Sequence, residues 1–340
     1  MDTPTHGLIG RLAARAIWPD KAQTGLVNVV TLCSVLPDLD VLLPGGGLGY
    51  LVSHRGISHS FLGVGLMALV VAWVARKVGV QSRSFGQVYL ASLFGFLTHV
   101  FFDLVTTFGT LVFTPFSDYR MAWDVLFIID PYLDVLLVGA LLVGWLTRLG
   151  AMGYRVGGGL VAGYVLAAAV ITGIGHVQLR HWAGARDLVM DQGAVMPAPF
   201  SPLHRRGMVL SGDRVYWVPM TLLGGVEGGG HVFDFALADD RLKLLWDSPS
   251  GEIYRWFTRF PVVRSVPENE DVLLVQDLQF MVIQDDLALG WLGAWAARLA
   301  LDHNFDLADR RNFALEIELD DTGRIRKMTY LDQTGERYPL

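Results

Sequence analysis

Four apolar runs in the first half of the chain restrict what it can fold into. Phe61–Ala75 is almost uninterrupted and ends at Arg76-Lys77. Gly86–Phe113 is broken only by His99 and Asp103, Tyr132–Leu149 only by Asp134 and Arg148, and Val156–Gly175 is rich in Gly and Ala. Each run meets or approaches the ~20 residues that cross a bilayer, and the shortest borrows from its flanks. Small residues in such runs favour close helix packing. Ahead of them, Gly7–Trp18 and Gly25–Leu36 read as a helical hairpin turning at Pro19-Asp20-Lys21, either shallow or re-entrant.

Composition agrees. Charged residues are 18% and hydrophobic residues 52% of the 340, whereas soluble domains are nearer ~25% charged. The net charge of -6 gives no reason to expect a nucleic-acid partner, and Cys33, the only cysteine, has no internal disulfide partner. The start, Met1-Asp2-Thr3-Pro4-Thr5-His6, lacks the basic region of a signal peptide, so His6 is expected to be retained.

From about His176 the pattern changes. The first glutamate is Glu227, and alternating stretches suit strands at Met208–Pro219, His231–Leu237, Ile253–Val263, Asp271–Gln284, Phe313–Leu319 and Arg324–Leu331, with turn signals such as Ser211-Gly212-Asp213 and Asp320-Asp321-Thr322-Gly323 separating some of them. Asp286–Leu301 reads as a helix and Pro197–Pro202 as a linker. The expected architecture is a multi-pass α-helical membrane domain over 1–175, followed by a small, mostly antiparallel β (α+β) extramembrane domain over 176–340.

Charge orients it. Arg11, Arg15, Lys21, Arg76, Lys77, Arg83, Arg148 and Arg155 fall on one side of this layout, and only Arg55 and Arg120 on the other before the second domain. The positive-inside rule places the first side in the cytoplasm, so the polar motifs and the β domain are expected to face the periplasm or exterior.

Those motifs are conspicuous because ionisable groups in a membrane domain are costly unless partnered or used. His99 and Asp103 are spaced i, i+4 on one helix face and can reach one ion; a His–Asp pair tying two helices, or a proton relay, would use the same spacing. His54-Arg55-Gly56-Ile57-Ser58-His59-Ser60 precedes the Phe61 helix, where Ser58 or Ser60 can cap and Arg55 favours an anion such as phosphate. Pro37-Asp38-Leu39-Asp40 offers two carboxylates after a helix stop, and the hairpin returns His6 to the same end. Asp118, Asp124 and Asp130 lie in a loop between spans; Asp130, next to Pro131, is the best placed of them to act as a base.

The metal-ligating set is therefore His6, Asp38, Asp40, His54, His59, His99 and Asp103, with Asp40, Arg55 and Asp130 as candidate catalytic residues. Mixed His and Asp donors suit zinc first, with manganese and iron as alternatives, and seven ligands suggest two or three ions. Such sites bind phosphoryl oxygens and activate water. A divalent-metal transporter or sensor, and a non-catalytic scaffold with a structural metal, are the competing readings.

These motifs, with Thr107-Phe108-Gly109-Thr110, Pro115-Phe116-Ser117 and Asp130-Pro131, resemble the membrane-bound, metal-dependent hydrolases of bacterial inner membranes. The resemblance covers residues 1–175 well and the β domain loosely. The His/Asp pattern is in turn similar to zinc-dependent phospholipase C, which implies His6, Asp38, His54 or His59, His99 and Asp103 as ligands. The downstream His and His/Glu helix motif of those enzymes is missing here. The resemblance implies a phosphoester-type bond in a lipid or envelope substrate, with membrane lipids as partners.

Overall fold

In the computed structural model, the described residues are 1–42, 46–80, 82–147, 149–222, 225–226, 230–266, 269–281, 283 and 311–340. The chain divides into two compact units, Met1–Leu43 with Ser53–Val170, and Pro44–Val52 with Ile171–Leu340.

The first unit is helical. Helix α1 (Thr3–Ile17) starts where the Asp2 side chain accepts from Thr5 N–H and Pro4 occupies the first turn. It is followed by α2 (Thr24–Cys33), a 3-10 segment over Leu36–Leu42, and another over Ile57–His59. Helix α3 (Leu48–Ser53) lies almost wholly in the stretch that belongs to the second unit. Next come α4 (Phe61–Val78), capped by Ser60, and α5 (Phe85–Leu104), opened by a Ser84/Gln87 capping box. Helix α6 (Pro131–Leu146) is capped by Asp130, and α7 (Ala151–Gly184) supplies residues to both units.

Four segments are long and apolar enough to cross a membrane: Lys21–Leu42, Phe61–Val78, Phe85–Leu104 and Ala151–Gly184. Helix α6 is apolar but shorter, at 16 residues. The run read as Gly86–Phe113 becomes helix only to Leu104. The chain leaves it through Thr106 and Thr107 and turns at Gly109, whose φ of 90° favours glycine.

Close approach of small residues holds the helices together. A Cβ added at Gly95 of α5 would stand 2.5 Å from the Val30 carbonyl oxygen and 2.8 Å from the Cys33 Cβ. Helices α2 and α5 therefore meet almost backbone to backbone. Around this contact Val27, Val30, Cys33, Val88, Ala91 and Phe96 form a buried core.

The second unit carries one antiparallel sheet of ten strands among the described residues: β1 (Gln192–Pro197), β2 (His204–Ser211), β3 (Arg214–Thr221), β4 (Gly225–Val226), β5 (His231–Phe235), β6 (Pro261–Val266), β7 (Asn269–Asp277), β8 (Ala314–Leu319), β9 (Ile325–Leu331) and β10 (Arg337–Pro339). Each strand pairs with the next in chain order, except that β4 pairs only with β3 and β5 returns to β3. The core beneath includes Met196, Met208, Trp217, Phe260 and Val262.

Two strand expectations are corrected. Met208–Pro219 is a hairpin, not one strand: Gly212, with a φ of 59°, turns β2 into β3. Ile253–Val263 is the end of a helix and the start of a strand. After the short α8 (Lys243–Trp246), Ser248 caps α9 (Pro249–Phe257) by accepting from Gly251 N–H, and β6 begins only at Pro261. The expected Asp286–Leu301 helix lies outside the described residues. The boundary expected at 175/176 falls inside α7, because the helix continues to Gly184 through a final polar stretch.

Candidate metal centre

Four of the ligand candidates converge from three elements of the first unit. Asp38 lies in the 3-10 segment that follows α2. His59 ends the short turn before α4. His99 and Asp103 share one face of α5. All four are buried, His59, His99 and Asp103 completely.

Their facing atoms approach closely. His59 Nε2 lies 3.0 Å from His99 Nε2, 3.1 Å from Asp103 Oδ2 and 4.0 Å from Asp38 Oδ1. His99 Nε2 lies 3.3 Å from Asp103 Oδ2 and 3.5 Å from Asp38 Oδ1. Tetrahedral zinc with bonds of ~2.0–2.2 Å has ligand–ligand edges of about 3.3–3.6 Å. The spacing therefore fits a single small cation.

The hydrogen bonds behind these atoms set their protonation. His99 Nδ1 is 2.8 Å from the Ser34 carbonyl oxygen, which can only accept. Nδ1 thus carries the proton and Nε2 the lone pair. Ser58 donates to Asp40 Oδ2 at 2.8 Å, so its oxygen accepts from His59 Nδ1 at 2.9 Å. In the neutral ring that leaves the His59 Nε2 as a lone pair too. Thr3 donates to Asp38 Oδ2 at 2.7 Å and leaves Oδ1 facing the centre. Asp103 Oδ2 has no hydrogen-bond partner among the described residues. Two imidazole lone pairs and two carboxylate oxygens facing one another are mutually repulsive until a cation or protons sit between them. Burial alone would lower the His59 pKa, but the Asp103 and Asp40 carboxylates beside it outweigh burial and raise it. A metal binding here therefore displaces a proton.

His6 borders this quartet. Its ring stacks on His99 at 3.8 Å, and its Nε2 is 3.1 Å from Asp103 Oδ1. With Asp38, His99 and Asp103 it offers ligand atoms all within 4.8 Å of one another. The five distances given for the quartet with His59, three of them from His59 itself, run from 3.0 to 4.0 Å, so His59 is assigned to the inner set of candidate ligands and His6 to its flank. Asp103 Oδ1 also takes the Met1 amine at 2.5 Å and Arg55 Nη2 at 2.8 Å.

Arg55 is 2% exposed in spite of its charge. Its backbone holds a φ of 58°, uncommon for a non-glycine residue and concentrated at functional sites. Its side chain spans Asp103 and Thr106 and lies over the Phe108 ring.

The remaining candidates sit one step away or elsewhere. Asp40 is a hub behind the centre: Oδ1 is 2.7 Å from His54 Nδ1, and Oδ2 accepts from Arg55 N–H at 3.0 Å and from Ser58. His54 stands with its ring centroid 6.1 Å from that of His59. Asp130 caps α6, accepting from Tyr132 and Leu133 N–H and from the Tyr164 hydroxyl at 2.7 Å. These bonds give it a structural role. Asp124 adopts a φ of 56° in the connecting loop. Ser34, Thr3 and Thr106 were not singled out from the sequence, because they act through a carbonyl or a hydroxyl with no spacing rule.

Asp40→Asn tests the hub. The amide cannot accept from both Arg55 N–H and Ser58 while also taking the His54 proton. Loss of such orienting partners lowers metal affinity ~10–100-fold, to be read by competition titration against a chelator with the fold intact by circular dichroism.

A family model described as YdjM inner membrane protein matches residues 1–181. The chain belongs to that family. The match takes in every helix of the first unit and all the residues of the centre. A curated relative, the uncharacterized protein YfhP of Bacillus subtilis, is 29% identical over 143 residues, which is 40% of this chain and 43% of the relative. The chain thus matches less than half the length of that relative. No solved structure matches. With its four apolar spans, this member of the YdjM family is a membrane protein.

Proposed function

We propose that this protein is a metal-dependent hydrolase of the inner membrane that cleaves a phosphoester-type bond in a lipid or envelope substrate. The observation that carries the reading is the meeting of His59 Nε2, His99 Nε2, Asp38 Oδ1 and Asp103 Oδ2, with Nδ1 of each histidine already engaged behind them. A divalent cation held there, zinc first, would supply Lewis acidity and a water of lowered pKa. The chain's own groups would do the rest. Arg55, whose Nε has no partner among the described residues, would hold an anionic phosphoryl oxygen. Asp40 would act through His54: a proton fixed on Nδ1 leaves Nε2 as the basic nitrogen. A transport path would string its ligands along the membrane normal, whereas the described ones meet at one point. The excess of Arg and Lys on the opposite side of the helices supports a periplasmic or exterior site.

The experiment is hydrolysis of a phosphodiester-linked phospholipid by detergent-purified protein. Activity is expected to vanish on chelation and to return with zinc. Arg55→Lys is expected to retain metal but lose about 10²–10³ in kcat, the usual cost of one oxyanion donor. Turnover that persists after complete metal removal would sink the reading.

A further inference from the structure

The centre has an apolar neighbour. A cavity of about 450 Å³ opens among α1, α5, α6 and α7. Its size lies in the ~300–1,000 Å³ range of small-molecule sites. Helix α5 forms the wall shared with the centre: His99 and Asp103 point to the metal site, and Phe101 and Phe102, on the same turn, line the cavity. Helix α1 is shared in the same way, with His6 on the centre and Ile9 in the cavity wall. Among the described lining residues Thr98 and Trp123 bring the only polar side-chain atoms, and the Thr98 hydroxyl already donates to the Phe94 carbonyl.

The far wall is α7, reached through Gly158, Ala162 and Ala169. From 158 to 169 the helix axis advances ~16 Å at ~1.5 Å per residue. That is about half of the ~30 Å hydrocarbon core, the depth of a single leaflet. A Cβ added at Gly158 would meet nothing within 4 Å, so the space beside it is open. Both α5 and α7 are long and apolar enough to cross a membrane, a setting in which lipid tails would surround the cavity.

We propose that this slot seats one acyl chain of a membrane phospholipid, whose headgroup linkage is thereby presented to the metal centre. The occupant follows from the setting: the walls are apolar, the slot has leaflet depth and lies within spanning helices, and it shares a helical turn with the ligands. The proposal rests on the hydrolase reading for its chemistry, and it narrows the substrate class from envelope components in general to long-chain lipids.

Gly158→Phe is the test, with Gly159→Phe as control. Gly159 is exposed, does not line the slot, and likewise has open space at its Cβ. Each variant is reconstituted in vesicles of phosphatidylethanolamine and phosphatidylglycerol carrying a trace of phospholipid with a photoreactive group in its acyl chain. Wild type and Gly159→Phe are expected to crosslink at Phe101 or Trp123 and to keep one lipid in native mass spectrometry. Gly158→Phe is expected to lose both signals at least tenfold, with metal content unchanged as evidence of an intact fold. In turnover, Gly158→Phe is expected to lower kcat/KM tenfold or more for the long-chain lipid and to leave a short-chain, water-soluble phosphoester unaffected. Equal labelling and lipid retention in all three proteins would overturn the slot. A wild type that retains its lipid but hydrolyses neither substrate would overturn the hydrolase reading alone and leave acyl-chain binding standing.

Discussion

Asp103→Asn is expected to abolish metal binding and turnover together. Oδ2 of this carboxylate faces His59 Nε2 at 3.1 Å and His99 Nε2 at 3.3 Å, and Oδ1 faces Arg55 at 2.8 Å, the Met1 amine at 2.5 Å and His6 at 3.1 Å. Asparagine has nearly the same shape but no charge, and its amide must point one way. Turned toward the centre, the NH2 fills the position of a ligand lone pair. Turned away, it confronts the Arg55 guanidinium. Either orientation leaves a buried cation short of its counter-charge, a change that costs about 3–5 kcal/mol when one partner of a buried pair is removed. Metal affinity is expected to fall by more than the ~100-fold upper range for merely orienting partners. Isothermal titration with zinc and thermal unfolding in detergent measure the two effects. An Asp103→Asn protein that binds zinc as tightly as wild type would remove Asp103 from the ligand set.

Gly95→Leu is expected to damage the centre without touching a ligand. The added Cβ falls 2.5 Å from the Val30 carbonyl oxygen and 3.1 Å from the Val30 Cα, which are backbone atoms that cannot swing aside. Helix α2 must move off α5. The Ser34 carbonyl that fixes His99 Nδ1 immediately follows α2 and moves with it. Overpacking of this kind costs about 1–3 kcal/mol, and more where backbone is involved. Loss of the orienting bond adds a ~10–100-fold drop in metal affinity. Gly65→Leu in α4 is the control, because a Cβ there meets nothing within 4 Å. Equal stability and equal affinity in the two variants would show that the α2–α5 contact does not position His99.

What was legible in the sequence follows from which interactions have a period. The His99/Asp103 spacing on a helix announces a shared face, and the apolar runs announce the helices. The second unit's strands show their alternation, so its antiparallel sheet was readable. The turn at Ser211-Gly212-Asp213 is signalled by its residues, but the Pro249 helix was not resolved from its flank, because Ile253–Val263 is apolar enough to mask a capped helix end. The roles within the polar set were less legible still. Asp38 and Asp40 are two residues apart and look equivalent, yet Thr3 turns one toward the centre while Arg55 N–H and Ser58 hold the other behind it. Asp130 looked like a base beside a helix, and its bonds to Tyr132, Leu133 and Tyr164 make it a cap. The Asp38 and Asp40 assignments depend on partners 15 to 35 residues away, which one-dimensional spacing does not encode, whereas the Asp130 cap is local and competes with the base reading at the same position.

The central claim is that His59, His99, Asp38 and Asp103 form a cation site. Elemental mass spectrometry of detergent-purified wild type beside His59→Ala/His99→Ala tests it most directly. At least one equivalent of zinc, manganese or iron per chain in the wild type, absent from the double variant, is the predicted result. A wild type that carries no metal and takes up none on titration would contradict the account, and would leave the buried histidines and aspartates as a proton-sharing network that ties the helices together.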